Sequence, residues 1–394
     1  MTTREPIRPA RVLALSEAPI PSAVLGVHAV FDALASGTRR CELRTGSTVT
    51  PSKHDFAWAD SVVLVRGASP GERRILVEAK RLGKRVATYV DDDLERVPAE
   101  ARSGYFFTSE EVRRNVAFIV AHADDVLVCS DRLADEIVQR HRRRPLRVLQ
   151  PRPPRLPGET VPRPAASPTR IGFLGSVDHA AFLDALLGDV LREVHAELGG
   201  RVEFVFCGAE PKVALDLEAE RHPFEIDFGG WRRRALGLGI AIGLAPLPES
   251  DFHRFKYWNK YLEYGSLGIA GIYSDVPPSQ DVVRDGATGL LCANDPAAWK
   301  EAIQRLVSEP ALRDRIGHAA YLDVEARFSV GALLPHWTTA LGPILDHRAP
   351  PCRPEDVQLV SGPLRHALDR LAIYGPLRFT ERVLGRLTGR FRWG

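Results

Sequence analysis

Seven prolines fall between Pro151 and Pro168, at 151, 153, 154, 157, 162, 164 and 168, in a stretch without apolar periodicity. Such a segment cannot continue a helix or a sheet, so it reads as a linker. The same alternation of short apolar, β-branched runs and helical patterns occupies both sides of it. Upstream, strand-like runs at Val12–Ser16, Ser61–Arg66, Arg85–Val90, Asp125–Ser130 and Leu146–Gln150 flank helical patterns at Ala23–Ala35, Glu72–Leu82, Glu110–Ala121 and Leu133–Arg140. Downstream, Ile171–Leu174, Val202–Cys207, Ile226–Phe228, Ile240–Leu247, Ile269–Ser274 and Gly289–Cys292 restart the pattern. Strands alternating with helices imply parallel sheets covered by helices. The expected fold class is therefore α/β, with two Rossmann-like domains, 1–165 and 166–345, and a helical tail, 346–394, crossing back. Ligands of such sheets bind outside the carboxyl ends of the strands, which places the expected site in a central cleft.

A chain of 394 residues is too long for one ordinary core, and its 26% charged content lies in the globular range. No apolar run approaches the ~20 residues of a spanning helix. The opening Met-Thr-Thr-Arg-Glu-Pro leads into a strand without an apolar leader, which sets the expectation of a cytoplasmic protein. The five cysteines, Cys41, Cys129, Cys207, Cys292 and Cys352, are scattered and have no zinc or redox spacing, so they read as reduced thiols. No metal-ligand spacing, nucleophile elbow or Walker loop occurs, and metal-free chemistry without a cofactor is expected.

The densest chemistry lies in Ala245–Asp275. Lys256, Lys260 and Glu263 stand four and three residues apart, so a helix would put them on one face with the lysines toward its start. Helix-start amides and lysine charge together suit phosphate, and Glu263 could accept from a ribose diol. The same spacing also suits a solvated Lys–Glu face. Tyr257, Tyr261 and Tyr264, with related spacing, read as core.

The run Asp251 to Ile269 (D-F-H-R-F-K-Y-W-N-K-Y-L-E-Y-G-S-L-G-I), followed by S-D-V-P-P, D-G-A-T-G-L-L and a Trp-bearing helix, resembles the donor-binding half of retaining GT-B glycosyltransferases that build bacterial surface polysaccharides. The resemblance covers Arg170–Ser329 and weakens through the first half, where V-L-V-R-G, Y-V-D-D-D-L-E-R-V-P and A-D-D-V-L-V-C-S are similar to the acceptor domain of those enzymes. It implies a nucleotide-diphosphate sugar as co-substrate and a glycan or lipid-linked glycan as acceptor. Carried over, Glu263 matches the ribose-binding carboxylate and Lys256 a basic residue near the diphosphate, and these two are the expected catalytic residues. Asp251, Phe252 and His253 match a turn offering amides to the donor sugar, and Gly175-Ser176 a small-residue turn beneath the diphosphate. Lys260 completes the donor set.

Two departures stand out. Phe255 occupies the position of a first Glu, eight residues before Glu263, and Val177-Asp178-His179 stands where an Arg/Lys pair is usual. His179 could touch phosphate or be an ordinary surface histidine. The missing Glu keeps open a non-catalytic nucleotide-sugar-binding subunit, and a small natural product or a protein remains an alternative acceptor.

On the acceptor side, Arg66, Asp91 and Asp92, with Asp93, stand at strand ends, and His28 follows the first strand; hydroxyl recognition and a capped, solvated turn are equally compatible with the three aspartates. The residues from Leu364 onward hold seven Arg against two acids, with Arg378, Arg382, Arg386 and Arg390 beside an apolar stripe of Phe379, Val383, Leu387 and Phe391. This basic amphipathic helix could pack back onto the first domain, Leu364, Leu368 and Leu371 leading, or attach peripherally to an anionic membrane face. Nucleic acid is not an expected partner, because basic residues interleaved with aromatics occur only in this tail.

Overall fold

The computed structural model describes residues 8–101, 103–160 and 167–387. The chain divides into two compact units, one formed by residues up to Pro151 together with the chain from Leu333, the other by Arg152–Ala332.

The first unit is built on six parallel strands: β1 (Ala10–Ser16), β2 (Cys41–Ser47), β3 (Ser61–Val65), β4 (Arg85–Val90), β5 (Asp125–Val128) and β6 (Leu146–Arg147), in the order β2-β1-β3-β4-β5-β6. Strands β3 and β4 are buried almost throughout, which is why their β-branched runs are so readable. β2 (CELRTGS) lies at the edge with four exposed residues and has no apolar alternation, so it escapes a reading by periodicity. One face packs around Phe31, Leu34 and Tyr89, the other around Phe56, Ile75 and Ile119.

The chain re-enters this unit at Leu333, within the stretch that sequence reading gives to the second domain. The cause is packing: Leu333, Trp337, Leu341 and Ile344 all enter the first core, and the Trp337 indole donates to the Leu149 carbonyl at 2.9 Å. The closing helix, Pro363–Leu387, kinks at Gly375 (φ 71°). Leu364 and Leu368 do not dock it; they are 76% and 50% exposed. Buried Ile373 docks it together with Asp369 and Arg370, which pair with Arg74 and Glu17. The side chains of residues 377–379 and 381–387, which include Arg378, Arg382 and Arg386, and the whole of residues 388–394 lie outside the described residues.

The second unit holds β7 (Thr169–Gly175), β8 (Val202–Gly208), β9 (Glu220–His222), β10 (Ile242–Ala245), β11 (Ala270–Ser274) and β12 (Leu290–Cys292), also parallel, in the order β12-β11-β10-β7-β8-β9. The strand expected at Ile226–Phe228 is absent. Asp227 there caps the helix Phe228–Gly237 by accepting from the Gly230 amide, and Glu220–His222 supplies the edge strand. Residues 152–160 of the proline-rich segment belong to this unit, held by Arg152 on Glu325 and by Glu159 on Arg232.

Candidate functional site

In the second unit the chain lays β8 and β9 to one side of β7 and β10 to β12 on the other. The order of strands thus reverses between β7 and β10, and a crevice opens at such a point beyond their carboxyl ends. The loop after β7 carries Gly175, Ser176 and His179; the loop after β10 carries Ser250 through Lys256.

The helix Asn259–Ser266 projects over the same point because Tyr264 fixes it: its hydroxyl donates to the Leu244 carbonyl of β10 at 2.6 Å and accepts from the Leu174 amide of β7 at 3.4 Å. Gly243 makes room, since a Cβ there would lie 2.7 Å from the Tyr264 ring. Tyr257, Tyr261 and Tyr264 are all buried, as their spacing predicts. A closed set of hydrogen bonds holds the loop after β10: the Leu247 amide donates to Ser274 Oγ (2.7 Å), Ser274 Oγ to Asn294 Oδ1 (2.7 Å), and Asn294 Nδ2 to the Leu247 carbonyl (2.9 Å).

Lys256 is not on the helix with Lys260 and Glu263. It follows the short 3-10 turn His253–Phe255 in extended conformation (φ −61°, ψ 154°), and the helix begins at Asn259. The intervening Tyr257 and Trp258 have ring centroids 4.5 Å apart, a contact that neighbours on a helix, pointing about 100° apart, would not make. The Lys256 ammonium nevertheless reaches the site, 4.5 Å over the Phe252 ring. Lys260 Nζ lies 5.4 Å over Phe173 and pairs with Glu263 Oε2 at 2.7 Å, both side chains about a quarter exposed (22% and 24%). A Cβ on Gly175 would come within 3.3 Å of Lys260 Nζ, so the small residue lets the lysine stand against the end of β7.

His179 belongs to this cluster rather than to open surface. Its Nδ1 lies 3.1 Å from both Ser176 Oγ and the Ser176 carbonyl, and its ring is 5.4 Å from Phe173 and 5.1 Å from Phe182. Burial, then the charges of Lys260 and Lys256, push its pKa down to about 3, which keeps it neutral around pH 7. Ser250, which sequence reading missed, meets His253 Nδ1 at 2.7 Å and accepts from the His253 amide at 3.2 Å. The only sequence signal for it is a serine three residues ahead of a histidine in a polar turn.

Of the three turn residues expected to offer amides, His253 uses its own within the turn. The amides of His253, Arg254, Phe255 and Lys256 are all spent within it, on Ser250 Oγ, the Ser250 carbonyl, the Phe252 carbonyl and the His253 carbonyl. Of the three turn residues, Asp251 is exposed, Phe252 is buried beneath Lys256, and His253 edges against Phe182. Phe255, in the place of a first Glu, is 6% exposed, and Glu249 and Asp251 are exposed.

The first unit reverses strand order between β1 and β3. Arg66, just past β3, has left-handed backbone (φ 53°), and its guanidinium reaches Asp91 (3.3 Å), Asp92 (3.2 Å) and Ser22 Oγ (3.4 Å). Asp93 parts from its neighbours: it is buried and takes a bidentate bond from Arg140, 2.8 Å to each oxygen. It is structural. His28 ends a π-helical turn, Val24–His28, and is half-buried, with its pKa lowered by burial against the opposing charge of Asp32. Gly26 in that turn abuts Tyr89. Among the described residues no group of three or more His, Cys, Asp or Glu could hold a metal ion, and no helix is long and apolar enough to cross a membrane.

Residues 168–309 match the family described as Glycosyl transferases group 1. No curated protein matches the chain by sequence. Among solved structures, a glycosyltransferase from Rickettsia africae is similar with a TM-score of 0.57 at 12% identity, covering 86% of this chain and 99% of that one. Anabaena HepE, in complex with UDP-glucose, gives 0.55 at 12% identity over 84% and 99%. S. aureus TarM, in complex with fondaparinux, alpha-GlcNAc-glycerol and UDP, gives 0.54 at 12% identity over 73% of this chain and 58% of its own, so this chain spans little more than half of TarM. At these identities the likeness is one of fold. The chain thus has the two-unit Rossmann-like fold of GT-B glycosyltransferases, and its residues 168–309 match the model of the glycosyl transferases group 1 family.

Proposed function

We propose that the protein moves a sugar from a nucleotide-diphosphate donor to a hydroxyl of a glycan or lipid-linked glycan in cell-surface polysaccharide synthesis, with retention of anomeric configuration and without a metal ion. The observation that carries this reading is the convergence of Gly175, Ser176, His179, Lys256, Lys260 and Glu263 where the second sheet reverses its strand order. The diphosphate would lie against the Gly175-Ser176 turn, its charge met by Lys260 and Lys256. His179, held neutral, gives its single ring proton at Nδ1 to the Ser176 carbonyl, and so shapes the turn without adding charge to the site. Glu263 already orients one oxygen toward Lys260, and its other oxygen would accept from the ribose. Lysines in a partly dry site favour charge that develops on the leaving diphosphate, the role a metal plays elsewhere. Neighbours bound to UDP and UDP-glucose support the donor class, and retention rests on the family resemblance. Arg66, Asp91, Asp92 and His28 form the acceptor-side reading.

Buried Phe255 favours a second reading, a non-catalytic nucleotide-sugar-binding subunit, because no carboxylate stands at that position. Such a protein would bind nucleotide and release none from a donor with any acceptor.

A thermal-shift panel of UDP, GDP, ADP, CMP and dTDP identifies the nucleotide, since a ligand that binds only the folded state raises the melting point. With that nucleotide, Glu263→Ala is expected to weaken binding roughly 10- to 100-fold, the scale of a charged hydrogen bond of about 1.5–3 kcal/mol. Calorimetric affinity equal to wild type would remove Glu263 from the site.

A further inference from the structure

The donor cluster holds two histidines whose ring protons are fixed differently. His179 Nδ1 faces the Ser176 carbonyl at 3.1 Å, and a carbonyl only accepts, so the one proton of the neutral ring stays on Nδ1 and Nε2 can only accept in turn. His253 Nδ1 faces a hydroxyl, Ser250 Oγ, at 2.7 Å. That oxygen already accepts from the His253 amide at 3.2 Å, and the Ser250 carbonyl accepts from the Arg254 amide at 3.1 Å. The opposite tautomer would aim two N–H groups at one hydroxyl and send the hydroxyl proton elsewhere. A hydroxyl that gives its proton to Nδ1 is satisfied both as donor and as acceptor, and it leaves the imidazole proton on Nε2. That proton remains on Nε2 if the ring becomes charged. The ring is also held in place. Phe182, in the first turn of the helix Ala180–Leu198, meets both imidazoles edge to face, His179 at 5.1 Å and His253 at 6.1 Å. Phe252, 5.3 Å from His253, carries the Lys256 ammonium over its ring at 4.5 Å.

We infer that His253 donates a hydrogen bond from Nε2 to the distal phosphate of the nucleoside diphosphate, and that Ser250 is the positioning residue that fixes its proton there. The inference rests on the donor reading above and assigns the contact to a side chain. It has to be one, because the amides of residues 253–256 are all taken within the turn, so what these residues offer an anion comes from beyond the backbone. Glu263 and its partner Lys260 mark the ribose end of the donor, and Lys260 stands against the Gly175 turn. His253 and Lys256 share the Phe252 ring on the loop after β10, across from that turn, where the phosphate farther from the ribose would lie. The groups are close enough to feel one another: after burial, the charges of Lys260, Lys256 and His253 all lower the His179 pKa. An imidazole N–H adds direction to the two point charges, since its proton lies in the ring plane and the ring is clamped by Ser250 and Phe182.

The test is calorimetric binding of UDP, GDP, ADP and dTDP, each beside its monophosphate, to the full chain and its variants at a temperature where melting curves show all of them folded. In His253→Gln the amide nitrogen takes the position of Nε2, and in His253→Asn that of Nδ1. With the diphosphate that binds, His253→Asn is expected to weaken affinity roughly tenfold or more and His253→Gln to stay within about threefold of wild type. Affinity for the matching monophosphate is expected to change in neither. Ser250→Ala is expected to weaken diphosphate binding severalfold when introduced alone and distinctly less on top of His253→Gln, because glutamine needs no hydroxyl to place its proton. A serine that merely supports the turn would cost the same in both backgrounds, which would remove it as a positioning residue. Diphosphate binding by His253→Asn as tight as by wild type, equal losses in the two histidine variants, or an equal loss for the monophosphate overturns the inference and leaves the donor reading standing. Wild type that binds none of the four diphosphates overturns the donor reading, and this inference with it.

Discussion

Lys260→Met is expected to slow release of the nucleoside diphosphate from the sugar donor by roughly 10²- to 10³-fold in kcat, the scale of one lost transition-state charge contact. Methionine keeps an aliphatic stem of similar length and removes the ammonium, which lies 5.4 Å over the Phe173 ring. That ammonium is the cation closest to the Gly175 turn, where the leaving diphosphate would gain charge. Lys256, beyond the 3-10 turn and over Phe252, is expected to matter less, by about tenfold when changed to Met, because it is partly exposed and solvent screens it. The split between constants carries the information. A raised KM with unchanged kcat would mean that Lys260 binds the diphosphate equally in ground and transition states. Turnover equal to wild type in both variants would remove the cluster from the chemistry.

What sequence could reveal follows from where apolar residues are needed. β3 (SVVLV) and β4 (RVATYV) are buried in mid-sheet and declare themselves through unbroken β-branched runs, whereas β2 and β9 (ERH) are edge strands whose pairing needs backbone alone. The misread Ile226–Phe228 has the hydropathy of a strand, but Asp227 holds the cap of the next helix. The same logic governs the site. Glu263 and Lys260 are one helical turn apart, so their pairing could be read from spacing. Lys256 could not be placed, because two neighbouring aromatics, Tyr257 and Trp258, interrupt the helix that spacing alone would draw through it. His179 was undecidable from sequence: its burial depends on Phe173, Phe182 and two lysines from a segment more than seventy residues away. Asp93 illustrates the converse, since Arg140, far along the chain, takes one aspartate of three into the structure of the unit.

Arg232→Met is expected to destabilise the second unit by about 3–5 kcal/mol, the cost of leaving a buried charge without its partner. The guanidinium is fully buried, and so is nearly all of the Glu159 carboxylate it meets (0% and 2% exposed). Its Nε and Nη2 donate to Glu159 at 2.8 and 2.6 Å, and Nη1 and Nη2 donate to Ser266 Oγ and the Ser266 carbonyl, both at 2.7 Å. Ser266 ends the helix that carries Lys260 and Glu263, and its hydroxyl donates to the Glu263 carbonyl at 2.9 Å. One arginine therefore ties the proline-rich segment to the far end of the donor helix. Arg232, with the Leu156 amide, holds the Glu159 pKa down to about 2 against burial. Because the folded pKa lies below the unfolded one of about 4.3, this contribution is complete above that value and is lost as pH falls toward 2. Urea unfolding followed by hydrogen exchange in β10 should show wild-type protection falling steeply across that window. Arg232→Met should have a lower midpoint at pH 7 and a shallower decline on acidification. Combining it with Glu159→Gln should restore part of the loss, since the stranded carboxylate is then neutral. A single variant as stable as wild type at pH 7 would mean that the pair is dispensable, and that the donor helix is held by its other anchors, Tyr264 on Leu244 and Tyr261 on Asp323.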